Sequence, residues 1–201
     1  MNKVFIATSR KIGLTCRDWA KNNIPEGFVY TDNKHDADIV ISVMCDKVFS
    51  SKFLNNKRCY NFHPGVLPEY KGVGISSWVL INKEAKTGVT LHKINTGIDT
   101  GDIIEIREIL IKKQDTAYDL HLRTQKLMLK MFKDWYIDIL KENYVAVTQD
   151  KSVGKVYKNK DLQEAKDLTN HVKAFYFPKK ESAFFYNNKN EKIYIIYKEK
   201  Q

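Results

Sequence analysis

Hydrophobic residues along the first two-thirds of the chain come in short runs separated by polar, turn-forming stretches. Residues 3–7 form a compact apolar run and predict a first, central strand. Ile12, Cys16, Trp19 and Ala20 then recur at helical spacing, so a helix is expected to start near Lys11. Residues 28–30 predict a second short strand. Residues 38–43 are apolar without alternation, as a parallel strand buried on both faces should be. Ser50 or Ser51 is placed to cap a small helix carrying Phe53 and Leu54. Residues 58–62 predict the next strand, 75–82 a helix, and 87–94 and 102–111 two further strands. Asp115 is expected as the N-cap of a long helix reaching about Lys141, with Leu120, Leu127, Met131, Trp135 and Ile139 as its apolar stripe. Strands alternating with helices predict an α/β fold, a Rossmann-like, doubly wound and mostly parallel sheet.

From residue 143 the pattern changes. Residues 154–157 read as a short strand and 161–170 as a small helix. Residues 183–186 and 193–197 flank a polar stretch, 187–191, and predict a β-hairpin. The chain therefore divides into a core over residues 1–142 and a C-terminal appendage over 143–201. Phe184, Phe185, Tyr186, Tyr194 and Tyr197 load the hairpin with aromatic surface. A ribbon has two faces and its parent domain covers one, so a homodimer is expected through the other. A lid over the cleft is the competing reading.

Composition narrows the class. At 201 residues and 43% hydrophobic, the chain suits one domain, or one with a small appendage, around a real core. No apolar run approaches the roughly 18 residues of a membrane span, and the N-terminus lacks a signal-peptide pattern, so a cytoplasmic protein is expected. Cys16, Cys45 and Cys59 have no metal spacing and read as free thiols. The net charge of +10 invites a nucleic-acid reading, but it comes from 29 lysines and only five arginines, spread along the chain. Arginine makes the forked contacts to phosphate and guanine, so a solvated lysine surface is the expectation, with no nucleic-acid partner. Such a field would still draw in an anionic substrate.

Candidate chemistry is concentrated between residues 59 and 102, which hold six of the nine glycines. Period-2 alternation puts Asn61 and His63 on one face of a strand end, and Pro64-Gly65 then turns the chain. Asp99 sits in a glycine-bracketed loop between two strands. Ser9, Arg10 and Lys11 follow the first strand and open a helix, the usual anion site of an α/β fold, without a dinucleotide or P-loop glycine pattern. Residues 43–46 form the loop after the buried parallel strand. These loops and the Asn61/His63 pair converge on one sheet edge. Other readings of the same residues stay open. The pair could be a hydrogen-bonded turn. Cys59 or Cys45 could serve as a nucleophile with His63, although Cys59 lies about 13 Å back along an extended strand. His63, His92 and Asp99 could hold a metal, or His92 could be a satisfied structural residue.

Asn61-Phe62-His63-Pro64, then Leu67-Pro68-Glu69-Tyr70-Lys71-Gly72, then Thr87 to His92, then Gly97-Ile98-Asp99-Thr100-Gly101-Asp102 resemble, in this order, the formyltransferases that use N10-formyltetrahydrofolate. The likeness covers roughly residues 1–112, with an echo near 171–186. It implies a formyl donor bound without a metal, and a family set of Asn61, His63 and Asp99 acting in catalysis. It implies His63 as an imidazolium donor to the tetrahedral oxyanion, with Asp99 raising its pKa. Val43, Met44, Asp46, Thr96 and Ile98 are then expected around the pterin. Ser9, Arg10, Lys11, Tyr70 and Lys71 are expected around the acceptor. The chain is most similar to sugar-nucleotide N-formyltransferases, which implies a nucleoside-diphosphate aminosugar (a 3- or 4-amino dideoxyhexose) as acceptor. Glycinamide ribonucleotide transformylase and a short methionyl-tRNA formyltransferase are the alternatives, and a non-catalytic folate sensor is a third class.

Overall fold

The computed structural model describes residues 1–150, 152–159, 161, 172–178, 182–186 and 190–195. In chain order these form β1 (Asn2–Ala7), α1 (Lys11–Asn22), β2 (Phe28–Tyr30), β3 (Ile39–Val43), α2 (Ser51–Leu54), β4 (Arg58–His63), β5 (Tyr70–Gly72), α3 (Ile75–Ile81), β6 (Lys86–Lys93), β7 (Ile103–Leu110), α4 (Ala117–Lys141), β8 (Lys155–Tyr157), β9 (Phe184–Tyr186) and β10 (Lys192–Tyr194). Six strands make one sheet in the order β2-β1-β3-β4-β6-β7. The four on the β2 side are mutually parallel, because helical or looped crossovers join them. β6 runs antiparallel to both β4 and β7, so the sheet is mixed and mostly parallel.

Alternation along each strand sorts the side chains. Val4, Ile6, Ile39, Ile41, Val43, Tyr60, Phe62, Val89 and Leu91 face α1 and α4 and form the main core. Phe5, Ala7, Val40 and Cys59 face the other way, toward Phe49, Phe53 and Leu54 around α2. Asn61 and His63 share parity with Cys59, so they leave the main core on the side away from α4.

α4 differs from the expectation in two details. Its N-cap is Thr116, not Asp115. The Thr116 hydroxyl accepts from the Asp119 N–H and the Asp119 carboxylate accepts from the Thr116 N–H, a complete capping box. Asp115 instead accepts from the Lys112 N–H and pairs with Arg123. The buried stripe is Leu120, Thr124, Met128, Met131, Phe132, Tyr136 and Ile139, while Leu127 and Trp135 are only partly buried. Packing against α1 sets that rotation, since Trp19 meets Phe132 and Tyr136 edge-on at 6.1 and 5.7 Å.

A second, two-stranded sheet pairs β5 with β8 in parallel. Tyr70 stacks on Tyr157 at 5.0 Å, and Trp78 of α3 packs beside them. β9 and β10 pair antiparallel. The helix expected at 161–170 and the expected strand end at Tyr197 lie outside the described residues. Among the described residues no helix is long and apolar enough to cross a membrane.

Candidate active site

β4 and β6 form the platform of the site. Their register sets Asn61 opposite His92 and His63 opposite Thr90, all four on the face away from α4. The Thr90 hydroxyl donates to the Gly65 carbonyl (2.7 Å) and accepts from the Leu67 N–H (3.2 Å), fixing the turn that follows His63.

Asp99 reaches this face from the β6–β7 loop. The Asn95 carboxamide oxygen accepts from the Gly97 N–H (3.0 Å) and the Thr100 hydroxyl (2.7 Å), which shapes the turn. Asp99 itself takes the left-handed conformation, with φ of 50°. Its Oδ2 accepts from the Gly72 N–H at 2.8 Å and lies 3.5 Å from His63 Nδ1. Its Oδ1 lies 3.5 Å from His92 Nε2 and 3.4 Å from Asn61 Nδ2. Burial alone would raise the Asp99 pKa. The two histidines and the Gly72 N–H outweigh it and hold the carboxyl well below the usual range, so Asp99 is ionised.

Hydrogen-bond partners assign the ring protons. His92 Nδ1 donates to the Lys93 carbonyl at 2.7 Å, and its Nε2 lies 3.2 Å from Asn61 Nδ2 and 3.5 Å from Asp99 Oδ1. His63 Nε2 lies 2.6 Å from the Tyr70 carbonyl, so it carries the proton. Burial of His63 (2% exposed) pushes its pKa down, with His92 adding to that, against Asp99 and the Tyr70 carbonyl pushing up. The net direction is down. An Asp99-raised imidazolium is the expectation; burial outweighs the carboxylate and lowers the pKa instead, which favours the neutral ring.

The structure therefore joins Asn61, His63 and Asp99, and adds His92. The sequence offers His92 only as a metal ligand beside His63 and Asp99 or as a satisfied structural residue; the β4–β6 register that brings it opposite Asn61 is not written in either strand. Among the described residues no three His, Cys, Asp or Glu side chains are grouped to hold a metal ion. Burial pushes the Cys59 thiol up to about 11, against a smaller opposing pull from Lys57, which suits an inert core thiol rather than a nucleophile.

The surrounding residues divide. Val43 is buried and registers beside Phe62, so Met44 to Asp46 emerge next to His63. Met44 turns the chain with φ of 53°. Thr96 and Ile98 are exposed on the Asp99 loop. Ser9 is tied to the β3 loop: its N–H donates to the Met44 carbonyl and its hydroxyl accepts from the Asp46 N–H, both at 3.2 Å. Arg10 pairs with Asp46 at 3.0 Å, both exposed, and Lys11 opens α1. Tyr70 and Lys71, expected at the acceptor, point inward instead. The Tyr70 hydroxyl donates to Glu84 (2.5 Å), and buried Lys71 Nζ donates to the Val153 carbonyl (2.7 Å). Pairing of β5 with β8 buries them both.

The Formyl transferase family model matches residues 14–135. GDP-perosamine N-formyltransferase of Brucella melitensis is 34% identical over 146 residues, which are 65% of this chain and 56% of that protein. Methionyl-tRNA formyltransferase of Ruminiclostridium cellulolyticum is 32% identical over 162 residues, 74% of this chain and 52% of that protein. The chain thus spans about half the length of these relatives. In three dimensions it is similar to a sugar N-formyltransferase from Shewanella sp FDAARGOS_354 (TM-score 0.83, 22% identity, 100% of this chain and 99% of that one). It is also similar to WlaRD, a sugar 3N-formyl transferase crystallised with dTDP and 5-N-formyl-THF (TM-score 0.77, 26% identity, 96% and 85%). The family match runs through α1, β4, β6 and most of α4, the elements that build and back the site, and the chain belongs to the formyl transferase family.

Proposed function

We propose that this protein transfers a formyl group from N10-formyltetrahydrofolate to the amino group of a nucleotide-linked aminosugar. The observation that carries this is the meeting of Asn61, His63 and Asp99 on one strand face in a formyl transferase chain. The likeness to GDP-perosamine and sugar 3N-formyltransferases supports the acceptor class. Among the residues, Asn61, His63 and Asp99 act in catalysis within a core over residues 1–142.

The acceptor amine attacks the formyl carbon, a carbon–nitrogen bond forms, and the carbonyl oxygen becomes an oxyanion. A neutral His63 takes the proton that the amine loses, and ionised Asp99 stabilises the imidazolium so formed. That proton then passes to the folate nitrogen as its bond to the formyl carbon breaks. Asn61 Nδ2 supplies an N–H to the oxyanion in exchange for its long, 3.4 Å contact with Asp99. The 3.5 Å separation of His63 and Asp99 exceeds a good hydrogen bond, and such contacts commonly tighten when substrate binds.

The pterin lies against the loops at residues 43–46 and 96–99, with Met44 and Ile98 as apolar walls and backbone groups reading its polar edge. Ser9, Arg10 and Lys11 hold the acceptor diphosphate. The Arg10–Asp46 pair is exposed, so it is weak and open to exchange for phosphate. Arg10→Ala is expected to raise the acceptor KM about tenfold and leave the folate KM unchanged, as loss of uniform binding does. A parallel rise in both constants would remove Arg10 from the acceptor site.

Tyr186 and Tyr194 lie on one face of the β9–β10 pair, each more than a third exposed, and that aromatic surface supports pairing with a second copy. Light scattering of a chain ending before Phe184 is expected to give half the mass of the full chain; an unchanged mass overturns the dimer. Free thiols at Cys16, Cys45 and Cys59 suit the reducing cytoplasm.

The deciding experiment offers N10-formyltetrahydrofolate with a panel of acceptors: dTDP-, UDP- and GDP-aminosugars, glycinamide ribonucleotide and methionyl-tRNA. Turnover with an aminosugar alone is the expected result. Preference for either of the last two replaces the acceptor assignment.

A further inference from the structure

We propose that Gln149 is a positioning residue for Asp99, and that residues 147–150 and 152–157, beyond the family match, are a working part of the site. This rests on the reading of Asp99 above. Gln149 is 6% exposed. Its Nε2 donates to the Asp99 carbonyl (3.0 Å) and to the Gly101 carbonyl (2.6 Å), so one amide group spans the turn that presents the Asp99 carboxylate. That turn holds a non-glycine residue in the left-handed region, a conformation that persists only when its surroundings enforce it.

Gln149 is itself anchored. Val147 and Ile103 exchange two backbone hydrogen bonds of 2.8 Å, and the Thr148 hydroxyl donates to Asp102 at 3.1 Å. Farther along, β8 zips onto β5, the Lys155 N–H donates to the Glu69 carbonyl (3.1 Å), and Lys71 reaches the Val153 carbonyl. The Gly72 N–H that grips Asp99 Oδ2 belongs to β5. One segment therefore fixes Asp99 twice, at its backbone through Gln149 and at its carboxylate through Gly72. The appendage that starts after α4 completes the core's site.

A packing role explains Gln149 less well. Its Oε1 is buried with no hydrogen-bond partner among the described residues. An unpaired buried acceptor costs stability, and a residue kept for packing alone would do better apolar. Retaining the amide makes sense for what its N–H groups hold.

The test compares wild type, Gln149→Met, Asp99→Asn and the double variant; methionine keeps the length and removes both donors. Hydrogen exchange of the ligand-free protein is expected to speed up at residues 95–102 in Gln149→Met. With the panel's best acceptor, kcat is expected to fall about 10- to 100-fold, the scale of a misplaced catalytic group, with KM little changed. In the Asp99→Asn background the same change is expected to cost less than about twofold, because Gln149 acts through Asp99. Unchanged exchange at 95–102 overturns the proposal, and so does an equal loss in both backgrounds. Wild-type kcat in Asp99→Asn would remove the catalytic reading of Asp99, and the exchange result would still decide whether Gln149 holds the turn.

Discussion

His63→Asn and Asp99→Asn are each expected to lower kcat by at least about 100-fold, the scale of one lost acid–base or oxyanion group. His63 is buried and Asp99 mostly so, in a single hydrogen-bonded network, so each substitution also costs on the order of 1–3 kcal/mol of stability. A domain with about 5–15 kcal/mol in hand stays folded under that loss, so the kinetic effect stands apart from unfolding. His63→Asn with near wild-type kcat would end the mechanism. The pH dependence adds a signed check. Burial sets the His63 pKa below the ordinary value of about 6.5, and Asp99 and His92 are the titratable groups that face it. If neutral His63 is the base, kcat/KM is flat through neutral pH and falls as pH drops through that lowered value. Asp99 is the charge that raises His63, so its removal moves the His63 limb farther toward acid. Comparing wild type with Asp99→Asn cancels the titration of the acceptor amine. A His63 limb lying above 6.5, or moving toward alkali in the variant, would make imidazolium the active form.

Gly72→Ala should damage both the fold and the chemistry. Gly72 has φ of 94°, where an L side chain is strained by about 1–3 kcal/mol. A Cβ there would also collide with the backbone carbonyl of Tyr157, its partner in the β5–β8 pair. Relief requires the strands to part, and parting them withdraws the Gly72 N–H from Asp99 Oδ2. The melting temperature is expected to fall by roughly 5 °C or more, and kcat by about tenfold in the molecules that remain folded. Wild-type values in both measurements would show that the strand pair yields without disturbing Asp99.

Much of this architecture is legible without coordinates, for a local reason. Side chains alternate along a strand and recur every 3.6 residues along a helix, so the runs at β1, β3, β4, β6 and β7 announce themselves. Asn61 and His63 were readable together because two residues apart on a strand means the same face. The glycine-bracketed loop around Asp99 was equally plain. The expected stripe of α4 holds at Leu120, Met131 and Ile139, while Leu127 and Trp135 stay at its edge; contacts from Trp19 of α1 and Phe62 of β4, far away in sequence, turn Phe132 and Tyr136 into the core instead.

What lay beyond the sequence depends on distance and burial. Register between β4 and β6 brings His92 to Asn61, and a strand's own pattern does not state its register with another. Tyr70 and Lys71 look like cleft residues until a three-residue strand from the far side of α4 covers them. Gln149 carries no local mark, and its meaning is its contact with carbonyls about fifty positions earlier. The charge state of His63 turned on a balance that adjacency cannot rank: a carboxylate nearby favours imidazolium, and complete burial outweighs it. Side-chain parity and turn chemistry are properties of neighbours along the chain, so the strands, the turns and the Asn61–His63 pair can be read from residue order alone. Register, burial and the grip on Asp99 are energies between segments far apart in sequence, so they exist only once the chain has folded.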